Sequence, residues 1–222
     1  MDQARWSDVD QYLDEAVVGS DAALDAALAD VAAAGMPAIS VSPALGKLLH
    51  ILARTVGARR ILEVGTLGGY STIWMARAVP ADGRVVTLEI DPSNAAVAAA
   101  SIARAGVADR VDIRIGRGVD SLASLMAEGV EPFDMVFIDA DKQSNPEYVA
   151  WALRLTRVGS VIIVDNVVRG GAVADAATTD PSILGIRRMN EMIAAEPRLL
   201  TTAIQTVGSK GYDGFAIALV IS

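Results

Sequence analysis

Two apolar runs of this sequence, residues 135–138 and 160–164, each lead directly into polar side chains. Ligands of open α/β sheets bind in the crevice beyond the carboxyl ends of the strands, so two such ends can converge on one small volume. Carboxylate and amide oxygens are hard donors for divalent cations, and a lysine amine beside them can exchange a proton. The side chains concerned are Asp139, Lys142, Asp165 and Asn166.

A glycine loop follows an earlier apolar run, with the spacing G-x-x-G-G over residues 65–69 and an acid, Glu63, two residues before it. Glycines at a strand-to-helix turn let a ligand approach the backbone closely. Glu89 closes the next apolar run, where a carboxylate can accept hydrogen bonds from two ribose hydroxyls. Because Glu63 would repel a pyrophosphate but attract an ammonium group, the pattern favours S-adenosylmethionine over NAD.

The first third of the sequence is predicted to be helical. Apolar residues recur at helical spacing over residues 8–34, with a break near residues 19–21, which indicates two short helices. Ser42 followed by Pro43 is typical of a helix start, and that third helix should end near Gly57.

From Arg60 onward, strand and helix patterns alternate, which predicts a mostly parallel, twisted sheet with helices on both faces. Two final runs, 199–207 and 215–221, indicate an antiparallel hairpin with a bulky connection at 208–214. The polar loop 167–181 is long enough to suggest a functional role. The other predicted strands are 61–64, 84–90, 111–115, one ending at Asp139 and one ending at Asp165. The predicted helices are 71–78, 92–105, 121–127, 146–155 and 183–195. Gly159 is expected to end the helix 146–155.

Composition limits the possible functions. The chain has 222 residues, 52% of them apolar, which suits one domain over 1–222 with a helical cap region at 1–57 and an α/β core at 58–222. A formal net charge of −8 argues against nucleic acid as a partner. The absence of cysteine excludes thiolate chemistry, and the lack of a long apolar run predicts a cytoplasmic protein without a membrane segment.

Taken together, these motifs resemble the metal-dependent, S-adenosylmethionine-dependent O-methyltransferases, similar to catechol and caffeoyl-CoA O-methyltransferases and in particular their small bacterial members. The resemblance covers roughly residues 38–222 and implies a Rossmann-like methyltransferase fold with a seven-stranded sheet. Its motifs are Leu62-Glu63-Val64-Gly65 with Gly69-Tyr70-Ser71, Phe137-Ile138-Asp139-Ala140-Asp141-Lys142, and Asp165-Asn166 followed by Gly170-Gly171.

The resemblance also implies roles for individual residues. Lys142 would be the general base, and Mg²⁺, or another divalent cation such as Mn²⁺ or Ca²⁺, would select a catechol-like small phenol as methyl acceptor. A homodimer is implied as well. The metal ligands would be Asp139, Asp165 and Asn166, and the cofactor-binding residues would be Val41, Glu63, Gly65, Ser71, Glu89, Gly118, Asp139 and Asp141.

Two alternative functions are an NAD-dependent oxidoreductase and a non-catalytic module that binds S-adenosylmethionine. Simpler structural roles also compete with the functional ones. Asp165-Asn166 would then be an ordinary turn, and Lys142 a solvated surface charge. We expect His50 and the three tryptophans, Trp6, Trp74 and Trp151, to be structural.

Overall fold

The computed structural model describes residues 2–222, which form one seven-stranded sheet flanked by eight α-helices. The strands are β1 (Arg60–Val64), β2 (Arg84–Glu89), β3 (Val111–Ile115), β4 (Phe133–Ile138), β5 (Thr156–Asp165), β6 (Leu199–Gly208) and β7 (Gly211–Val220). The helices are α1 (Gln3–Leu13), α2 (Ala22–Ala33), α3 (Pro43–Thr55), α4 (Tyr70–Ala76), α5 (Pro92–Arg104), α6 (Gly118–Ala127), α7 (Asn145–Leu155) and α8 (Pro181–Ala195).

The strand order is β3-β2-β1-β4-β5-β7-β6. Strands β1 to β5 pair in parallel, whereas β7 is antiparallel to both β5 and β6. This confirms the predicted mostly parallel sheet with a C-terminal antiparallel hairpin. The direction of winding reverses between β1 and β4, and such a switch point opens a crevice at the carboxyl ends of the strands.

Alternate residues of the central strands pack into two hydrophobic cores, one on each face of the sheet. Leu62 of β1 and Val136 of β4 pack on one face with α6, α7 and α8. Ile61 and Phe137 pack on the other face with residues of α2, α3, α4 and α5. Because strand side chains alternate between faces, an apolar run without alternation indicates a sheet that is covered on both sides.

Helices α2 and α3 start and pack as their sequence predicts, whereas α1 begins at Gln3, before the predicted residue 8, and buries none of its residues. The Ser42 hydroxyl accepts a hydrogen bond from the Leu45 amide and caps α3, and Asp21 caps α2 in the same way. Leu24 of α2 and Leu49 of α3 are buried in the same core as β1. The division into a cap region 1–57 and a core 58–222 stays a prediction. Within residues 2–222, no helix is long and apolar enough to cross a membrane.

The C-terminal hairpin differs from its prediction. Gly208 pairs with Gly211, so the connection is the two-residue turn Ser209-Lys210 and not a bulky loop. The glycines belong to the ladder itself: a Cβ at Gly214 would lie 2.3 Å from the Ile204 carbonyl oxygen. The Lys210 amine donates a hydrogen bond of 2.9 Å to the Ala38 carbonyl and ties the turn to the N-terminal region.

Gly159 also has a different role from the one predicted. Helix α7 ends at Leu155, and β5 begins at once with Thr156. Gly159 has φ +90° inside this strand, near a register shift opposite Phe133. A glycine within a strand commonly marks such an irregularity, so Gly159 does not terminate the helix.

The packing predicts a large difference between two leucines. Leu62 is fully buried in the central strand β1, whereas Leu184 on α8 is 39% exposed. We expect Leu62→Ala to lower the free energy of unfolding by about 2–5 kcal/mol, and Leu184→Ala by less than about 1 kcal/mol. Urea unfolding of both variants measures this, and equal losses would contradict the assigned core.

Candidate active site

A cavity of about 690 Å³ opens at the carboxyl ends of β1, β2 and β4. It lies where the strand order reverses, the position at which open α/β sheets bind ligands. Of the eleven candidate residues predicted from the sequence, nine line this cavity, and Glu63 and Asp165 do not. The nine are Val41, Gly65, Ser71, Glu89, Gly118, Asp139, Asp141, Lys142 and Asn166.

The backbone around Gly65 forms the tightest part of the cavity floor. Gly65 has φ +101°, and a Cβ there would lie 2.3 Å from the Asp139 carbonyl oxygen. The amide of Gly65 donates to the Leu88 carbonyl at 3.0 Å. The ends of β1, β2 and β4 are therefore held so close together that only glycine fits.

Glu89 ends β2 with its carboxylate facing the cavity. Its two oxygens accept one backbone hydrogen bond each, from Leu67 at 2.8 Å and from Asp91 at 3.0 Å. A carboxylate offers about four acceptor positions. A third contact, from Asn94 Nδ2 to Oε1, is long at 3.5 Å. Glu89 is thus held in place and keeps acceptor capacity for further donors.

Asp139, Lys142 and Asn166 line another part of the cavity, and Asp165 is buried close to Asp139 and Lys142. The Lys142 amine lies 2.8 Å from Asp139 Oδ1, and the lysine is only 8% exposed. The pKa of Asp165 is raised to about 7, mainly by burial and then by the charge of Asp139. The two strand ends therefore converge as predicted, and Lys142 is not a solvated surface charge.

The oxygen donors of this cluster are few. Among residues 2–222 there is no group of three His, Cys, Asp or Glu side chains arranged to hold a metal ion. The cluster has two carboxylates, Asp139 and Asp165, and the third donor is the amide of Asn166. This is a donor set for a cation that accepts carboxylate, amide and water oxygens together.

Comparison with known proteins identifies the family. A family model described as O-methyltransferase matches residues 19–219. The chain belongs to the O-methyltransferase family. It is similar to the catechol O-methyltransferase of Niastella koreensis, with 51% identity over 220 residues, which are 99% of this chain and 100% of that protein. It is 54% identical over 213 residues to the catechol O-methyltransferase of Mycobacterium tuberculosis, covering 96% of this chain and 95% of the other.

A solved structure agrees with this O-methyltransferase assignment. The crystal structure of TomG from Streptomyces achromogenes, an O-methyltransferase involved in tomaymycin synthesis, is a complex with SAM. It has 51% identity and a TM-score of 0.97, and the match covers 100% of both chains. The predicted Rossmann-like methyltransferase fold and enzyme class are confirmed. The NAD-dependent oxidoreductase alternative has no support.

Glu63 of this O-methyltransferase does not line the cavity, and its direct contact with a cofactor stays a prediction. The side chain is fully buried. Its oxygens accept hydrogen bonds from the hydroxyls of Ser71, Thr72 and Thr87. Burial raises the pKa of Glu63 to about 7, although the three hydroxyls oppose this change. Glu63 therefore positions Ser71, which is the residue that reaches the cavity.

Asp141 is fixed at the opposite wall by two hydrogen bonds. Its carboxylate accepts the Tyr148 hydroxyl at 2.5 Å and the Ser144 amide at 3.2 Å. Burial works to raise the pKa of Asp141, but the bonds from Ser144 and Tyr148 outweigh it and lower the pKa. A Cβ at Gly118 would lie 3.0 Å from the Tyr148 ring, so Gly118, Asp141 and Tyr148 form one continuous wall.

Tyr148 and Arg169 are among the cavity residues that sequence reasoning missed. Tyr148 lies on a helix among apolar residues and gives no distinctive signal. Arg169 lies in the loop 167–181, which was predicted to be functional without any residue being named. The non-glycine residues of positive φ among 2–222 are Leu67, Asn166 and Arg169, and all three line the cavity. Strained backbone of this kind concentrates at functional sites.

His50 and the tryptophans have structural roles where their contacts are defined. His50 Nδ1 is 3.0 Å from the Trp74 carbonyl oxygen. The guanidinium of Arg154 lies over the Trp151 ring at 4.4 Å. None of these residues lines the main cavity.

The burial of Glu63 predicts a pH effect on stability. Between 4.5, its ordinary pKa, and about 7, Glu63 is ionised in the unfolded chain but protonated in the folded protein. Stability should therefore fall as the pH rises through this window. Asp165 acts in the same direction.

Glu63→Gln removes the part of this decline that Glu63 causes. We expect the loss of unfolding free energy between pH 4.5 and pH 7.5 to be about 2–4 kcal/mol smaller in this variant than in the wild type. Urea unfolding at both pH values measures it. Glu191→Gln, on the exposed surface of α8, is the control and should follow the wild type; an unchanged pH dependence in Glu63→Gln would contradict the buried ionisation.

Proposed function

We propose that this protein transfers a methyl group from S-adenosylmethionine to a hydroxyl of a catechol-like small phenol, with a divalent cation bound beside the acceptor. One observation carries the proposal. A single cavity has an anchored acceptor of hydrogen bonds, Glu89, on one side and the cluster of Asp139, Lys142 and Asn166 on the other. The names of the two catechol O-methyltransferases support the acceptor class.

The cofactor would lie between Glu89 and Ser71. The free acceptor positions of Glu89 suit two ribose hydroxyls, and the Ser71 hydroxyl and the Gly65 backbone suit the amino acid part. The remaining contacts would come from Val41, Gly118, Asp139 and Asp141. The complex of TomG with SAM supports this cofactor. When bound, S-adenosylmethionine supplies a methyl group on a sulfonium sulfur. The sulfur is the leaving group as the acceptor oxygen forms its bond to the methyl carbon.

The acidic cluster fits a divalent cation on the chemistry of its donors. Asp139 and Asp165 are close enough for the charge of one to raise the pKa of the other, and a cation would relieve that repulsion. Asn166 would complete a set of three oxygens suited to Mg²⁺, or to Mn²⁺ or Ca²⁺. When bound, the cation lowers the pKa of a coordinated hydroxyl and favours acceptors with two adjacent hydroxyls.

Lys142 is the proposed general base. Its amine lies in the cavity wall, buried against Asp139, so a phenol held there would be within reach of the nitrogen. In its neutral form, Lys142 Nζ takes the proton of the acceptor hydroxyl and becomes the ammonium that pairs with Asp139, and the oxygen is left as the nucleophile. Ile39 and Val41 line the cavity and would limit the entry of water.

We also propose a homodimer. Strand β6 is the edge of the sheet, and Leu200, Ile204 and Val207 on it are 65%, 47% and 51% exposed. A long apolar edge strand of this kind is normally covered or paired. A second copy of the chain is the partner that the proposed assembly would supply.

Removal of the cation tests the metal site. We expect EDTA to abolish methylation of catechol and added Mg²⁺ to restore it. Asp165→Asn should reduce kcat/KM by at least about 100-fold, since it removes one of two proposed charged ligands. Asp175→Asn, in the exposed part of the loop, is the control and should be nearly silent.

Calorimetric titration with Mg²⁺ gives a second readout that does not depend on turnover. Binding should be present in the wild type and in Asp175→Asn and lost in Asp165→Asn. Activity that survives both EDTA and Asp165→Asn would exclude the proposed role of the metal.

Replacement of Lys142 by arginine tests whether Lys142 acts as a general base or only as a positive charge. We expect Lys142→Arg to lower kcat by about 10²–10⁴-fold, because arginine keeps the positive charge but does not accept a proton. The dissociation constant for S-adenosylhomocysteine should change little. Lys47→Arg, where the lysine donates to the Val17 and Val18 carbonyls, is the control. Normal turnover by Lys142→Arg would rule out the base, and normal binding without turnover in the wild type would favour a non-catalytic module.

A further inference from the structure

Arg169 is a cation of the cavity wall for which the proposed reaction has no use. It lies three residues after Asn166 and lines the main cavity. Among the described residues, the only other lysine or arginine of that wall is Lys142, and its amine is engaged with Asp139.

The backbone of Arg169 is held in a costly conformation. Its φ is +54°, in the left-handed region that non-glycine residues seldom adopt. Asp213 maintains this conformation, since its Oδ1 accepts the amides of Val168 at 3.0 Å and of Arg169 at 2.9 Å. The hydrogen bonds to Asp213 therefore fix the position of the Arg169 backbone.

The guanidinium itself is left with unused donors. Its nearest carboxylate oxygen is Asp213 Oδ2, at 3.9 Å from Nη1, which is an ion pair too long for a hydrogen bond. Within residues 2–222 the Arg169 side chain donates no hydrogen bond. A guanidinium presents five N–H donors in a planar fork that matches the two oxygens of a carboxylate.

We infer that Arg169 binds a carboxylate substituent on the aromatic acceptor, so that the preferred substrates are dihydroxylated aromatic acids. This inference rests on the proposed function. The Cα atoms of Asn166 and Arg169 are at most about 11 Å apart, three Cα–Cα steps, so one small ring can reach from the acidic cluster to the guanidinium. Without Arg169, the acids around the cavity, which include Asp139, Asp141 and Glu89, would repel such a substrate.

A matched pair of acceptors tests the inference: 3,4-dihydroxybenzoic acid and its methyl ester, which keeps the ring and both hydroxyls but has no negative charge. We expect Arg169→Gln to lower kcat/KM for the acid by about 10- to 100-fold, the usual effect of losing a charge-assisted pair, and for the ester by less than about threefold. For the acid, kcat/KM of Arg169→Lys should lie between the values of the wild type and Arg169→Gln, since lysine keeps the positive charge but lacks the planar set of N–H donors. Arg188→Gln, an exposed arginine on α8, is the control and should change neither substrate.

The outcomes separate this inference from the proposed function. If the wild type methylates both compounds and Arg169→Gln reduces both equally, the carboxylate role is wrong and the proposed function stands. If Arg169→Gln instead weakens the binding of S-adenosylhomocysteine, Arg169 serves the cofactor and the inference is overturned. If the wild type methylates neither compound, nor catechol, the proposed function fails and takes the inference with it.

Discussion

Where β1 and β4 end side by side, the Asp139 amide donates to the Val64 carbonyl at 2.8 Å, and no side chain fits at position 65. This contact joins the two halves of the sheet at the point where its winding reverses. The glycine loop continues from one strand and the acidic cluster from the other. Their separation is therefore set by main-chain hydrogen bonds. A transfer reaction depends on reactants held at a fixed distance and angle, and a backbone contact holds them more firmly than side chains would.

The site also concentrates buried acid groups, which is costly for a folded protein. Glu63 is fully buried, Asp165 is 7% exposed, and burial raises the pKa of each to about 7. The protein limits the cost at Glu63 with three hydroxyl groups, whereas within residues 2–222 Asp165 accepts one hydrogen bond, from the Asn166 amide at 2.8 Å. A ligand that neutralises such a group binds the folded state alone and stabilises it. Binding and stability in this protein are accordingly linked through the same side chains.

Much of the fold follows from local sequence patterns, and the exceptions share a physical cause. The strands and the cluster of Asp139, Lys142 and Asn166 could be predicted from local patterns. In a parallel sheet, a polar residue that follows an apolar run lies at the carboxyl end of a strand. Glu63 and Arg169 could not be placed in this way. The buried carboxylate of Glu63 accepts a hydrogen bond from Thr87, 24 residues later, and the backbone amide of Arg169 donates one to Asp213, 44 residues later. The connection at 208–214 was misassigned for the same reason, since Gly214 lies against the Ile204 carbonyl of β6 and Gly208 lies against Asp10 of α1.

The bond from Lys210 to Ala38 has a consequence for the order in which the site is built. Ile39 and Val41, which line the cavity, lie directly after the carbonyl that this lysine holds, and the two partners are 172 residues apart in sequence. A ribosome makes the glycine loop and the acidic cluster long before it makes the hairpin turn. The wall at Ile39 and Val41 gains this anchor only once the hairpin turn has left the ribosome, so the cavity reaches its final form after both the glycine loop and the acidic cluster have been synthesised.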